Sequence, residues 1–80
     1  MDPIEIQQLL LSRIADCDIE VSGDGRHFDI QVVGDLFTGL TPVKKQQLVY
    51  AALKDEIADG RIHAVNIKTL TRAEWQQRQA

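Results

Sequence analysis

An α+β domain, with a three-stranded mixed sheet and its helices packed on one face, is the fold the sequence predicts. Three observations carry this reading. Capping residues followed by proline open helices at Asp2-Pro3 and Thr41-Pro42. The hydrophobic period falls to two after Asp18. A helical segment then separates the second alternating run from a third. The chain has 80 residues, 44 % of them hydrophobic, which suffices for one core, so residues 1–80 form a single domain.

The elements follow in order. Asp2 caps the first helix, Pro3 occupies its first position, and Glu5 completes a capping box. Ile6, Leu9, Leu10 and Ile14 then recur at helical spacing, giving a helix over about residues 3–14. Ile19 and Val21 alternate with polar neighbours. After Gly23-Asp24-Gly25-Arg26, Phe28, Ile30 and Val32 do the same, which reads as a β-hairpin. Residues 34–40 form a loop anchored by Leu36 and Phe37. The second helix starts at the Thr41 cap, carries Val49, Ala52, Leu53 and Ile57 on one stripe, and stops at Asp59-Gly60. Residues 61–68, with Ile62, Val65 and Ile67, read as the third strand. Thr71-Arg72-Ala73-Glu74 is a further capping box, opening a last short helix that bears Trp75. The order is helix, strand, strand, helix, strand, helix. A helix crossing between strands two and three favours a parallel pairing somewhere in the sheet and a right-handed connection. Ile6, Leu9, Leu10, Ile30, Val32, Val49, Leu53, Ile57, Val65 and Ile67 are expected to make one core.

Composition excludes several function classes. Mixed charges at 26 % argue against disorder, and no apolar run approaches the roughly 20 residues a bilayer needs. The start carries no export signal, and a lone cysteine, Cys17, can make no internal disulfide and no Cys-pair zinc site. A cytoplasmic location is the expectation. The net charge of −3 is uneven: residues 1–40 hold two basic and eight acidic side chains, residues 41–80 seven basic and four acidic. This pattern reads either as partner surfaces of opposite sign or as an ordinary solvated surface.

Few residues carry candidate chemistry. His27 starts strand two and His63 starts strand three, so one small sheet brings both within reach of a shared ion or cluster. Two imidazoles cannot complete a tetrahedral site, so further ligands must come from a partner. His63 shares parity with Val65 and Ile67 and reads equally as a partly buried structural histidine. Cys17 lies between Asp16 and Asp18, whose charge opposes a reactive thiolate. Gly23-Asp24-Gly25 leads into a strand rather than a helix and is no phosphate loop. Lys44 and Lys45, in the first turn of the second helix, suit a phosphate backbone, or else form a solvated helix end.

Three stretches in register, Val21–Phe28, Val43–Tyr50 and Arg61–Thr69, resemble the BolA family, and closely its bacterial IbaG-type branch. The likeness runs from about Ile4 to Trp75. It implies a KH-like fold of the second type and no enzymatic activity. It also implies a monothiol glutaredoxin partner, with a 2Fe–2S cluster shared between the two proteins and none bound by the isolated chain. The partner side supplies a cysteine and a glutathione sulfur; the BolA side supplies a third-strand histidine, matched here by His63. A second ligand comes from the loop between strands one and two. Asp24 stands near that place and His27 three residues on, which makes His27 the candidate. Where many members carry Arg-His in the second helix, this chain has Lys45-Gln46, and the IbaG-type branch likewise lacks that histidine. Some relatives act as transcriptional regulators, and Lys44 and Lys45 are then the expected DNA contacts. The resemblance thus implies an adaptor in iron–sulfur trafficking or iron and stress regulation, with a DNA-binding regulator as the alternative. No membrane partner is expected, and alone the chain is expected to be a monomer or a weak homodimer.

Overall fold

A computed structural model describes residues 1–79. Helix α1 spans Pro3–Arg13, strand β1 Asp18–Gly23 and strand β2 His27–Val33. A single 3₁₀ turn covers Asp35–Phe37. Helix α2 spans Pro42–Ala52, the short α3 Lys54–Ala58, strand β3 Ala64–Leu70, and α4 Arg72–Gln79. The sheet order is β1-β2-β3, antiparallel between the first pair and parallel between the second. The expected mixed sheet and element order are therefore present.

Local signals explain the helix starts. Asp2 Oδ1 accepts the Glu5 amide at 2.9 Å while Glu5 Oε1 accepts the Asp2 amide at 3.3 Å, closing the capping box. Thr41 Oγ1 accepts the Lys44 amide, and Thr71 and Glu74 form a second reciprocal box. Ile6, Leu10 and Ile14 from the first helical region pack with Ile19, Phe28, Ile30, Val32, Val49 and Leu53 in one buried cluster. Helix glutamines engage both edge strands: Gln7 Nε2 donates to the Ile19 carbonyl of β1 at 2.7 Å, and Gln46 Nε2 to the Ile67 carbonyl of β3 at 2.6 Å.

Four details differ from the sequence expectation. The second helix is interrupted at Leu53, whose φ of −114° and ψ of 15° are not helical. The Leu53 amide turns back to the Tyr50 carbonyl, and Arg13 Nη1 takes the Ala52 carbonyl at 2.7 Å, which compensates for the broken ladder. Strand β3 starts at Ala64 rather than 61, because Asp59 holds the Arg61 amide and the Glu56 carbonyl holds the Ile62 amide. The first helix ends at Arg13, with Ile14 as its cap. Leu9 is half-buried and outside the main cluster: the buried stripe on α1 runs through Ile6 and Leu10, and Leu9 sits on its border. Ile57, Val65 and Ile67 are half-buried and pack against that cluster. Phe37 and Ile62 are fully enclosed in it, with 0 % and 1 % exposure.

Candidate metal centre

The hairpin turn and the approach to β3 lie at one end of the sheet, and each brings a histidine there. His27 is paired in register with Ala64, and His63 is the residue just before it. Arg26, His27 and His63 line one cleft of about 370 Å³.

Contacts to the main chain place the two histidine residues at this end of the sheet. Asp24 Oδ1 accepts the amides of Arg26 at 3.0 Å and His27 at 2.9 Å, while the Asp24 amide reaches the His27 carbonyl at 3.3 Å. These amides hold the Asp24 carboxyl below its ordinary range, the His27 amide contributing most. Gly23 precedes this turn with φ near +153°, and a Cβ there would lie 2.2 Å from the His27 carbonyl oxygen, so only glycine fits. On the other side, the Ala64 amide donates to the Arg26 carbonyl at 3.3 Å. His63 is exposed, and neither imidazole donates or accepts a hydrogen bond among the described residues. The Asp24 carboxylate lies 3.9 Å from His27 Nδ1. His27 is exposed as well.

Two exposed nitrogen donors in one cleft fit the histidine share of a cluster held between two proteins. Among the described residues, no group of three or more His, Cys, Asp or Glu side chains could hold an ion alone. Cys17 is buried on the α1–β1 connection, and burial, reinforced by Asp18 and Asp16 and opposed by Arg72, pushes its thiol up. The reading of His63 as a structural histidine finds no support in its exposure.

The two lysines differ from each other. Lys44 is exposed in the first turn of α2, whereas Lys45 is largely covered and points its Nζ to within 3.9 Å of Glu74 on α4. Ion pairs also join the two halves of the chain: Arg13 pairs with Glu56, and Arg72 Nη1 with Asp18 Oδ2 at 3.1 Å. Sequence reasoning did not single out Arg26 as a wall of the cleft. The Asp24-Gly25-Arg26 order, an aspartate able to receive amides two and three residues on, is the signal that marks this turn.

Residues 12–74 match the family described as BolA-like protein. The acid stress protein IbaG of Escherichia coli K12 is 52 % identical over 75 residues, covering 94 % of this chain and 89 % of that protein. A DNA-binding transcriptional regulator, BolA of Vibrio cholerae, is 47 % identical over 55 residues, 69 % of this chain and 51 % of its own length. A BolA homologue from Coxiella burnetii superposes with a TM-score of 0.84 at 30 % identity, covering 95 % of this chain and 97 % of its own. With family match, sequence identity and fold in agreement, this chain belongs to the BolA-like family.

Proposed function

We propose that this chain is a non-enzymatic adaptor that pairs with a monothiol glutaredoxin and shares a 2Fe–2S cluster with it. His63 serves as the principal ligand from this side and His27 as the second. The observation that carries the reading is the single cleft lined by both histidines, neither imidazole making a hydrogen bond among the described residues. Bound there, the cluster supplies a transferable iron–sulfur unit and a one-electron redox centre. The chain's own part is to present two imidazole nitrogen donors in one cleft. The Asp24 turn does this for His27, and the Arg26–Ala64 hydrogen bond ties that turn to His63. Glutaredoxin cysteine and glutathione sulfur provide the thiolates that this chain lacks. The acid-stress name of the Escherichia coli relative supports a place in the stress response.

The test is anaerobic mixing with a cluster-loaded monothiol glutaredoxin, followed by visible absorption and circular dichroism. His63→Ala should keep the far-ultraviolet spectrum and remove or sharply alter the visible signature. His27→Ala should change it partially. An unchanged visible spectrum in His63→Ala overturns the assignment.

A second reading, a DNA-binding regulator, draws support from the Vibrio cholerae relative and from Lys44, exposed at the start of α2. Phosphate-driven binding weakens steeply with salt.

A further inference from the structure

Glu56 is the one charged side chain fully buried among the described residues, at 3 % exposure. Enclosing a carboxylate in so small a core is costly, and an apolar residue of similar volume commonly does as well or better for stability. Its contacts show what it holds. Arg13 reaches it from the end of α1 with Nη1 and, at 3.3 Å, with Nη2. Arg61 Nη2 reaches Oε2 from the other side at 3.4 Å. The Glu56 main-chain carbonyl accepts the Ile62 amide at 3.1 Å. Glu56 thus grips both residues that precede His63, one by its side chain and one by its backbone. Asp59 adds a second hold on Arg61, accepting its amide at 3.0 Å and its Nε at 2.7 Å. Beyond His63, the Ala64 amide is fastened to Arg26.

A metal-binding histidine is usually oriented by a hydrogen bond to its second ring nitrogen. His63 has none among the described residues, so its placement falls to the main chain on either side. We infer that the Arg13–Glu56–Arg61 bridge is the positioning device for His63, setting the segment that presents the imidazole to an incoming metal. Arg61 is the positioning residue nearest the ligand, and Glu56 anchors it to α1 through Arg13. This inference rests on the reading of His63 as a cluster ligand.

Arg61→Ala separates positioning from folding, because Arg61 is half exposed and its loss leaves the Arg13–Glu56 pair in place. Heterocomplexes with a cluster-loaded monothiol glutaredoxin would be compared for wild type, Arg61→Ala, Arg61→Lys and His63→Ala. Visible circular dichroism and the rate of cluster loss are the readouts, with melting temperature measured in parallel. Arg61→Ala should melt close to wild type, lose its cluster several-fold faster, and shift its visible spectrum toward that of His63→Ala. Arg61→Lys, which keeps the charge without the forked donors, should fall between. Asp59→Asn, at the exposed partner of Arg61, should move the spectrum in the same direction. Wild-type spectra and loss rates in Arg61→Ala and Asp59→Asn, alongside an altered His63→Ala, would overturn the positioning role alone. An unaltered His63→Ala would remove the ligand reading and this inference with it.

Discussion

The carbonyl of Arg26 accepts the amide of Ala64 at 3.3 Å, joining the residue before His27 to the residue after His63. This contact stands at the start of the parallel β2–β3 ladder. The two histidines come from segments far apart in the chain, and they share a cleft only where that ladder closes.

Ala64→Pro removes the donor of this contact at the first residue of a strand, where proline is tolerated. The far-ultraviolet spectrum should stay close to wild type. The visible circular dichroism of the glutaredoxin complex should change more than it does in His27→Ala. A spectrum equal to wild type would show that the ladder's first rung is irrelevant to the site.

Gly23→Ala should destabilise the hairpin by about 1–3 kcal/mol, since it places a Cβ against the His27 carbonyl in a backbone region that L residues avoid. Denaturant midpoints measure the loss. Gly25→Ala is a useful contrast, because φ there is also positive but a Cβ would meet no atom within 4 Å.

Acid stability should depend on Glu56. The Arg13 guanidinium holds its carboxyl below the ordinary range, against the opposing effect of burial. A depressed folded-state pKa gives stability that is present above the unfolded value, about 4.3, and lost as pH falls through the folded one. Melting temperatures recorded from neutral pH down to about pH 3 should therefore drop below about pH 4.3 in the wild type. Glu56→Gln should start lower at neutral pH and lose less on acidification. Parallel curves for the two proteins would place the acid sensitivity elsewhere.

If the DNA reading holds, Lys44→Ala should weaken binding to all sequences alike and reduce the salt slope by about 0.9. Lys45→Ala should do less, because its ammonium already faces Glu74. Affinity titrations at several salt concentrations decide the matter, and equal slopes for wild type and Lys44→Ala leave that helix end as solvated surface.

Signals confined to one turn of chain were legible in the sequence. The Asp2–Glu5 and Thr71–Glu74 boxes, the Thr41 cap and the alternation through Phe28, Ile30 and Val32 all act between near neighbours, and each is present as expected. The co-location of His27 and His63 followed from the strand order. Effects that depend on distant partners were not legible. Glu56 has the spacing of a solvated helical acid until Arg13 arrives from α1. The break at Leu53 depends on the same arginine taking the Ala52 carbonyl. The late start of β3 reflects Asp59 and Glu56 holding residues 61 and 62 in the turn. Lys45 looks free in the sequence because Glu74 lies on the last helix.

Gln7 and Gln46 bear on how this protein behaves when crowded with copies of itself. Each carboxamide engages a border strand with a peptide-like N–H, as the first amide of a foreign strand would. Fibril growth by stacking at either border then has to displace an intramolecular contact before it gains one.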